Sequence, residues 1–318
     1  MPDKTAPQEY PAIWLQGAGC SGCSVSVLNA VSPSIANVLL DEVVPGKHVN
    51  LRFHPTLMAG SGTMAVDILL GAAKDKRPHL LVLEGSVPTT ISRIGGTGPD
   101  GKELDFAELF AKLAQQALAV VALGDCATSG GIPASGPNLA GCQSARAFLA
   151  ARGIGKPLIN IPGCPPHPDW FLHTVASVLL FGLPDASQLD ADLRPVALFG
   201  GLIHEHCPRR ADFDAGKFAQ AFGEPGCLYE LGCKGPFTYA DCPSRQFNGG
   251  VNWCIKAGSP CHGCAETEFP NLGPGLYRKM DVDSLPRIEA AAGGSLKPVV
   301  PGPYGAASCC CGAKSEGA

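Results

Sequence analysis

The sequence predicts an α/β protein in two parts, a doubly wound parallel sheet over residues 12–185 and a loop-rich, cysteine-bearing domain over residues 186–290. Three observations predict it. From Ala12 to about Phe181, short apolar runs alternate with amphipathic stretches of helical period, the pattern of strands joined by crossover helices. After about Asp190 the alternation stops and Gly, Pro and Cys dominate. The 15 cysteines, an odd number, sit among the 40 glycines and 29 prolines, where loops must wrap closely around something.

In chain order, residues 1–11 read as a tail, and AIWLQG (Ala12 to Gly17) as the first strand. VNLRFH (Val49 to His54), HLLVLEG (His79 to Gly85), LAVVALG (Leu118 to Gly124) and KPLINIPG (Lys156 to Gly163) supply the other four. Helices fill the gaps. The clearest begins at Asp105, whose carboxylate can cap DFAELFAKLAQQAL, with apolar residues at three- and four-residue intervals. The second part has too few packed apolar residues to order itself, so bound metal is expected to order it. Residues 291–318 read as an extension ending in a mobile tail, ASCCCGAKSEGA.

The totals narrow the function. Of 318 residues, 45% are apolar and only 16% charged, so part of the surface is expected to be covered by another protein. A net charge of −4 with a pI near 6.1 offers no basic patch and argues against nucleic acid. No apolar run reaches the roughly 18 to 20 residues of a membrane span, and the N-terminus lacks the apolar stretch of a secretory signal. The expected location is cytoplasmic as written, or periplasmic if an export signal was removed.

Cys20 and Cys23 follow the first predicted strand, Cys126 the fourth and Cys164 the fifth. In an open parallel sheet the carboxyl ends of the strands share one edge, so these four thiols can converge there. Four thiolates match a cubane 4Fe-4S cluster; zinc suits the same ligands. The bland reading is a set of buried structural thiols, even odds for Cys126 alone, but the C-x2-C pair makes joint coincidence improbable. Eight further candidates fall in two groups: His204, Cys207, Cys227 and Cys233, then Cys242, Cys254, Cys261 and Cys264. An imidazole in place of one thiolate removes a negative charge and raises a cluster's potential. His206 competes locally with His204 for that place.

The segments LQGAGCSGCS, HPTLMAGSG, EGSVP, GIPA, NIPGCPPHPDW, IHEHCP, LGCKGP and GGVNWCIKAGSPCHGC resemble, in that order, those of nickel–iron hydrogenase small subunits. The resemblance spans roughly Ala12 to Phe269. It implies a flavodoxin-like domain carrying a proximal cluster on Cys20, Cys23, Cys126 and Cys164, and a distal cluster on His204, Cys207, Cys227 and Cys233. Where the commonest pattern has a proline and a 3Fe-4S medial cluster, this chain has Cys254. A medial 4Fe-4S cluster on Cys242, Cys254, Cys261 and Cys264 is therefore expected, as in the nickel–iron–selenium branch, which Gly19 and the VNWC string also resemble. Oxygen-tolerant relatives add two cysteines beside the proximal cluster; Gly22 and Gly131 stand in those places, which implies an ordinary proximal cubane. Cys142 reads as a structural thiol, and Cys309, Cys310 and Cys311 have no assigned role.

The function so implied is electron transfer for the reversible oxidation of H2. The nickel–iron centre would belong to the large subunit, an obligate heterodimer partner, and a carrier such as a cytochrome, a ferredoxin or another subunit would dock near His204. Glu84, ending the third strand, is either a group facing the partner or a satisfied strand-end carboxylate. Competing readings are the small subunit of a regulatory hydrogen sensor, a quinone-reductase subunit similar to the first half alone, and a zinc-stabilised scaffold.

Overall fold

The computed structural model describes residues 7–271 apart from Val43, Lys76 and Ile94, residues 276–278, and the backbone of two strands at 287–290 and 296–299. Cys309, Cys310 and Cys311 lie outside the described residues.

Five strands form one parallel sheet: β1 (Gln8–Gln16), β2 (Lys47–Phe53), β3 (His79–Glu84), β4 (Ala117–Leu123) and β5 (Leu158–Ile161), in the order β2-β1-β3-β4-β5. This is the doubly wound, flavodoxin-like order, and its direction reverses between β1 and β3. β1 starts at Gln8 rather than Ala12, inside the stretch expected as a tail, because Gln8, Glu9 and Tyr10 pair with Lys47, His48 and Val49. These early residues are polar or half-exposed, so no hydrophobic period announces them. β5 is shorter than expected, since Gly163 has already turned to a positive φ of 133°.

Alternation along the strands divides the interior in two. Ile13, Leu15, Leu81, Leu83, Val120 and Ala122 face α3 (Gly62–Lys74), α4 (Phe106–Gln116) and α7 (Ala145–Ala151). Trp14, Val82, Val121, Leu123, Ile159 and Ile161 point the other way, toward α1 (Gly22–Leu28), α2 (Ile35–Leu40) and α8 (Pro168–Phe181). Two four- or five-residue helices, α5 (Asp125–Ser129) and α6 (Gly131–Ala134), follow β4. The Asp105 carboxylate accepts the Glu108 N–H at 3.0 Å and caps α4, as its position predicts.

Beyond Asp190, the described residues up to 271 contain only turns and helices of three to five residues. Leu198, Phe199, Ile203, Leu228, Ala240, Trp253 and Ile255 nonetheless join the second of the two cores. The loops thus share an interior with the sheet instead of building one alone. A backbone hairpin, β6 (Arg287–Ala290) with β7 (Leu296–Val299), straddles the boundary expected at residue 290. Among the described residues no helix is long and apolar enough to cross a membrane.

Candidate metal centres

The carboxyl ends of β1, β4 and β5 deliver the first set of thiols. Cys20 lies in the turn after β1, Cys23 in the first turn of α1, Cys126 in α5 and Cys164 in the loop after β5. Cys23 feels the charge of Cys126, Cys20 and Cys164, so the four are brought together. Gly124, at φ +83°, makes room: a Cβ there would stand 2.3 Å from the Cys23 sulfur. Burial first, then neighbouring charge, pushes the Cys126 thiol up to about 12 and Cys164 up to about 11. A thiolate in this site needs a compensating positive charge, which a bound cation supplies.

Two buried carboxyls support this edge. Glu84 is 2% exposed and accepts from Trp14 Nε1 at 2.9 Å, Gln16 Nε2 at 3.1 Å, the Ser24 N–H at 3.0 Å and the Ser24 hydroxyl. It is a satisfied strand-end group, tying β1 and β3 to the helix that carries Cys23. His54 Nδ1 accepts from the Thr56 and Leu57 N–H groups, which leaves Nε2–H to donate to Ser24 Oγ at 3.2 Å. Asp125 accepts the Gly163 N–H at 3.1 Å and so fastens the Cys126 turn to the Cys164 loop; burial pushes its carboxyl well up. No motif marked either role: an Asp beside a cysteine and a His thirty residues away acquire meaning only from the fold.

The second set lines a small cavity of about 10 Å3, bordered by His204, Cys207, Cys227 and Cys233 with Leu228, Tyr229 and Ile255. His204 is buried against the edge of Phe213, with ring centroids 4.6 Å apart, whereas His206 is exposed. Burial above all lowers His204 to about 4, leaving a neutral imidazole with a lone pair to offer. Cys233 is pushed up to about 12, again by burial.

Cys242, Cys254, Cys261 and Cys264 line a larger cavity of about 330 Å3, together with Cys164, Trp170, Trp253 and Phe269. All four thiols are raised, chiefly by burial, and each of Cys242, Cys261 and Cys264 also feels Cys254. This set touches both others. Cys164 of the first set lines this same cavity, and the Cys261 N–H donates to the Cys233 sulfur at 3.3 Å. Trp170 Nε1 donates to Asp241 Oδ1 at 2.7 Å and Arg245 binds Asp241 and Asp169, so α8 grips the turn that carries Cys242. Among the described residues no three such side chains meet closely enough to grip one ion; the sulfurs stand around cavities instead. Cys142 stays outside these sets, buried, with its N–H on Asn138 Oδ1 at 2.7 Å.

Residues 199–275 match the family described as the C-terminal part of the NiFe/NiFeSe hydrogenase small subunit, and residues 20–178 match the NADH ubiquinone oxidoreductase 20 kDa subunit family. The periplasmic NiFeSe hydrogenase small subunit of Desulfomicrobium baculatum is 45% identical over 83% of this chain and 85% of its own length. The hydrogenase-2 small chain of Escherichia coli K12 is 38% identical over 92% and 78%. A reduced, active form of the D. baculatum Ni-Fe-Se hydrogenase superposes with a TM-score of 0.79 at 43% identity, over 86% of this chain and all of that one. An actinobacterial-type NiFe-hydrogenase from Ralstonia eutropha gives 0.77 at 34%, over 86% and 84%. The chain belongs to the small-subunit family of nickel–iron and nickel–iron–selenium hydrogenases, oxidoreductases whose active site lies in the large subunit.

Proposed function

We propose that this chain holds three 4Fe-4S clusters and relays electrons between the large subunit's nickel–iron centre and an external carrier. Family membership gives the coarser part, a small subunit paired with a large one and expected to bear iron–sulfur clusters. The finer reading assigns a proximal cluster to Cys20, Cys23, Cys126 and Cys164, a medial one to Cys242, Cys254, Cys261 and Cys264, and a distal one to His204, Cys207, Cys227 and Cys233.

The observation that carries it is the contact of the three sets in series: Cys164 lines the cavity of the Cys254 set, and the Cys261 N–H of that set donates to the Cys233 sulfur at 3.3 Å. Consecutive sites joined in this way form a line with the Cys254 set in the middle. The donors fit: thiolates with one imidazole are cluster ligands, and among the described residues no three of these side chains meet closely enough to hold a single tetrahedral ion. When bound, the clusters supply one-electron centres whose potentials follow charge, sulfur hydrogen bonds and burial. The chain supplies the spacing, backbone donors to sulfur and a dry surrounding.

Cys254 lines the same cavity as its three neighbours, which favours a medial cubane over a three-iron cluster. Exposed Val25, Leu28 and Val31, in and just after the helix that bears Cys23, form the face assigned to the large subunit. The carrier is assigned to the His204 side.

Anaerobic metal analysis with EPR on the heterodimer tests this. About twelve irons on this chain and no three-iron signal in undamaged protein are expected. Zinc, or about four irons, sinks the relay; a three-iron signal sinks the medial cubane alone.

A further inference from the structure

Lys234 lies one residue after Cys233 and is 1% exposed, a rare state for a lysine. Its backbone is fully engaged: the N–H donates to the Cys261 carbonyl at 2.8 Å, and its carbonyl accepts the Thr238 hydroxyl at 2.7 Å and the Phe237 N–H at 3.0 Å. Its Nζ has no hydrogen-bond partner. Among the described residues no carboxylate pairs with it. Burial pushes its ammonium down from the ordinary lysine range, the charge of Cys261 favours the ammonium form, and Lys234 in turn opposes protonation of His262.

A buried ammonium costs several kcal/mol unless an opposite charge offsets it. Here the remaining opposite charge is on sulfur. This argument rests on the assignment of Cys261 to a four-cysteine cluster. A cubane with four thiolates is anionic when oxidised and gains one more negative charge on reduction. The distal set has a neutral imidazole in place of one thiolate, so on ligand charge alone the medial cluster is the harder of the two to reduce. A fixed cation beside it lowers that step.

We propose that Lys234 is the built-in counter-charge of the medial cluster, a positioning residue that stabilises its reduced state and raises its reduction potential toward those of its neighbours. The cluster accepts one electron; Lys234 keeps its protons throughout and forms no bond to iron.

The test is an EPR-monitored redox titration of the assembled heterodimer, in wild type and in Lys234→Met, Lys234→Gln and Lys234→Arg, each with its iron counted. In the neutral variants the medial reduction equilibrium falls at least tenfold, about 60 mV for a one-electron couple. The proximal equilibrium stays within about twofold by distance and screening, and Lys234→Arg restores the medial value. A cluster-loaded neutral variant with the wild-type medial midpoint overturns the proposal. If both neutral variants lose medial iron while Lys234→Arg keeps it, the charge serves cluster assembly rather than potential and the proposal falls. If Lys234→Arg loses it too, shape rather than charge is what matters and the proposal falls. A wild type without a four-iron medial cluster removes the cluster assignment itself, and the proposal with it; four irons with an unmoved midpoint removes the proposal alone.

Discussion

The sheet region and the loop region hold thiols by opposite means. In the first, Cys20, Cys23, Cys126 and Cys164 ride on the ends of strands packed on both faces, and buried Glu84 and Asp125 tie those ends together. In the second, turns and helices of at most five residues carry eight donors over residues 204–264, and part of the packing is borrowed from the sheet's core. The difference teaches where order originates: strands packed on both faces set the first group of thiols, whereas the second rests on short turns and a borrowed core and is expected to need a bound group to complete its order.

Removing iron should separate the regions most widely. After anaerobic chelation, amide hydrogen exchange is expected to rise across residues 199–271 while β1, β3 and β4 stay protected. Equal loss of protection in both regions would break the comparison. Next comes the sheet core: Phe110→Ala, at a fully buried position in α4, is expected to cost about 3–5 kcal/mol in chemical unfolding and to leave the iron count unchanged. Iron loss in folded protein would show that the strand ends do not set the site independently.

Trp170→Phe sharpens the contrast at the junction. It removes the donor to Asp241, 2.7 Å away, and leaves that half-buried carboxylate to Arg245 alone, at a cost of about 1 kcal/mol. The expected outcome is faster exchange around Cys242 with little change in β4; uniform destabilisation counts against a local clamp. The smallest effect is electrostatic. Hydrogen bonds from Arg77, aided by Arg52, hold the Asp75 carboxyl below the usual carboxylate range. A depressed folded pKa stabilises the fold above the unfolded value of about 3.9 and loses that contribution as pH falls below it. Asp75→Asn should therefore change the melting temperature slightly at pH 7 and flatten its decline between about pH 4 and 3. An unchanged acid limb would remove this pair from the account.

Much of the sheet could be read from sequence because its buried strands are apolar runs and Asp105 is a plain cap, whereas Gln8–Tyr10 carry no such pattern. The candidate donors stood out because cysteines at strand ends and in C-x2-C pairs are unusual, whereas the choice of His204 leaned on the resemblance; the fold adds that His204 is buried and His206 exposed. The supports were not visible. Glu84 to Ser24, Trp170 to Asp241 and Lys234 to Cys261 join residues 60, 71 and 27 positions apart, and only folding brings such pairs together.

The interior shared by sheet and loops also has a lineage consequence. Residues 20–178 match a family that the second segment's match does not include, so the sheet unit is a transferable part. In this chain the loops cover the apolar layer around Trp170 and Phe171, so the sheet unit alone would leave that layer exposed. That layer acts as a socket: the loops that plug into it are held at a fixed span from Cys164, so the packing there sets how far the second region's thiols stand from the first.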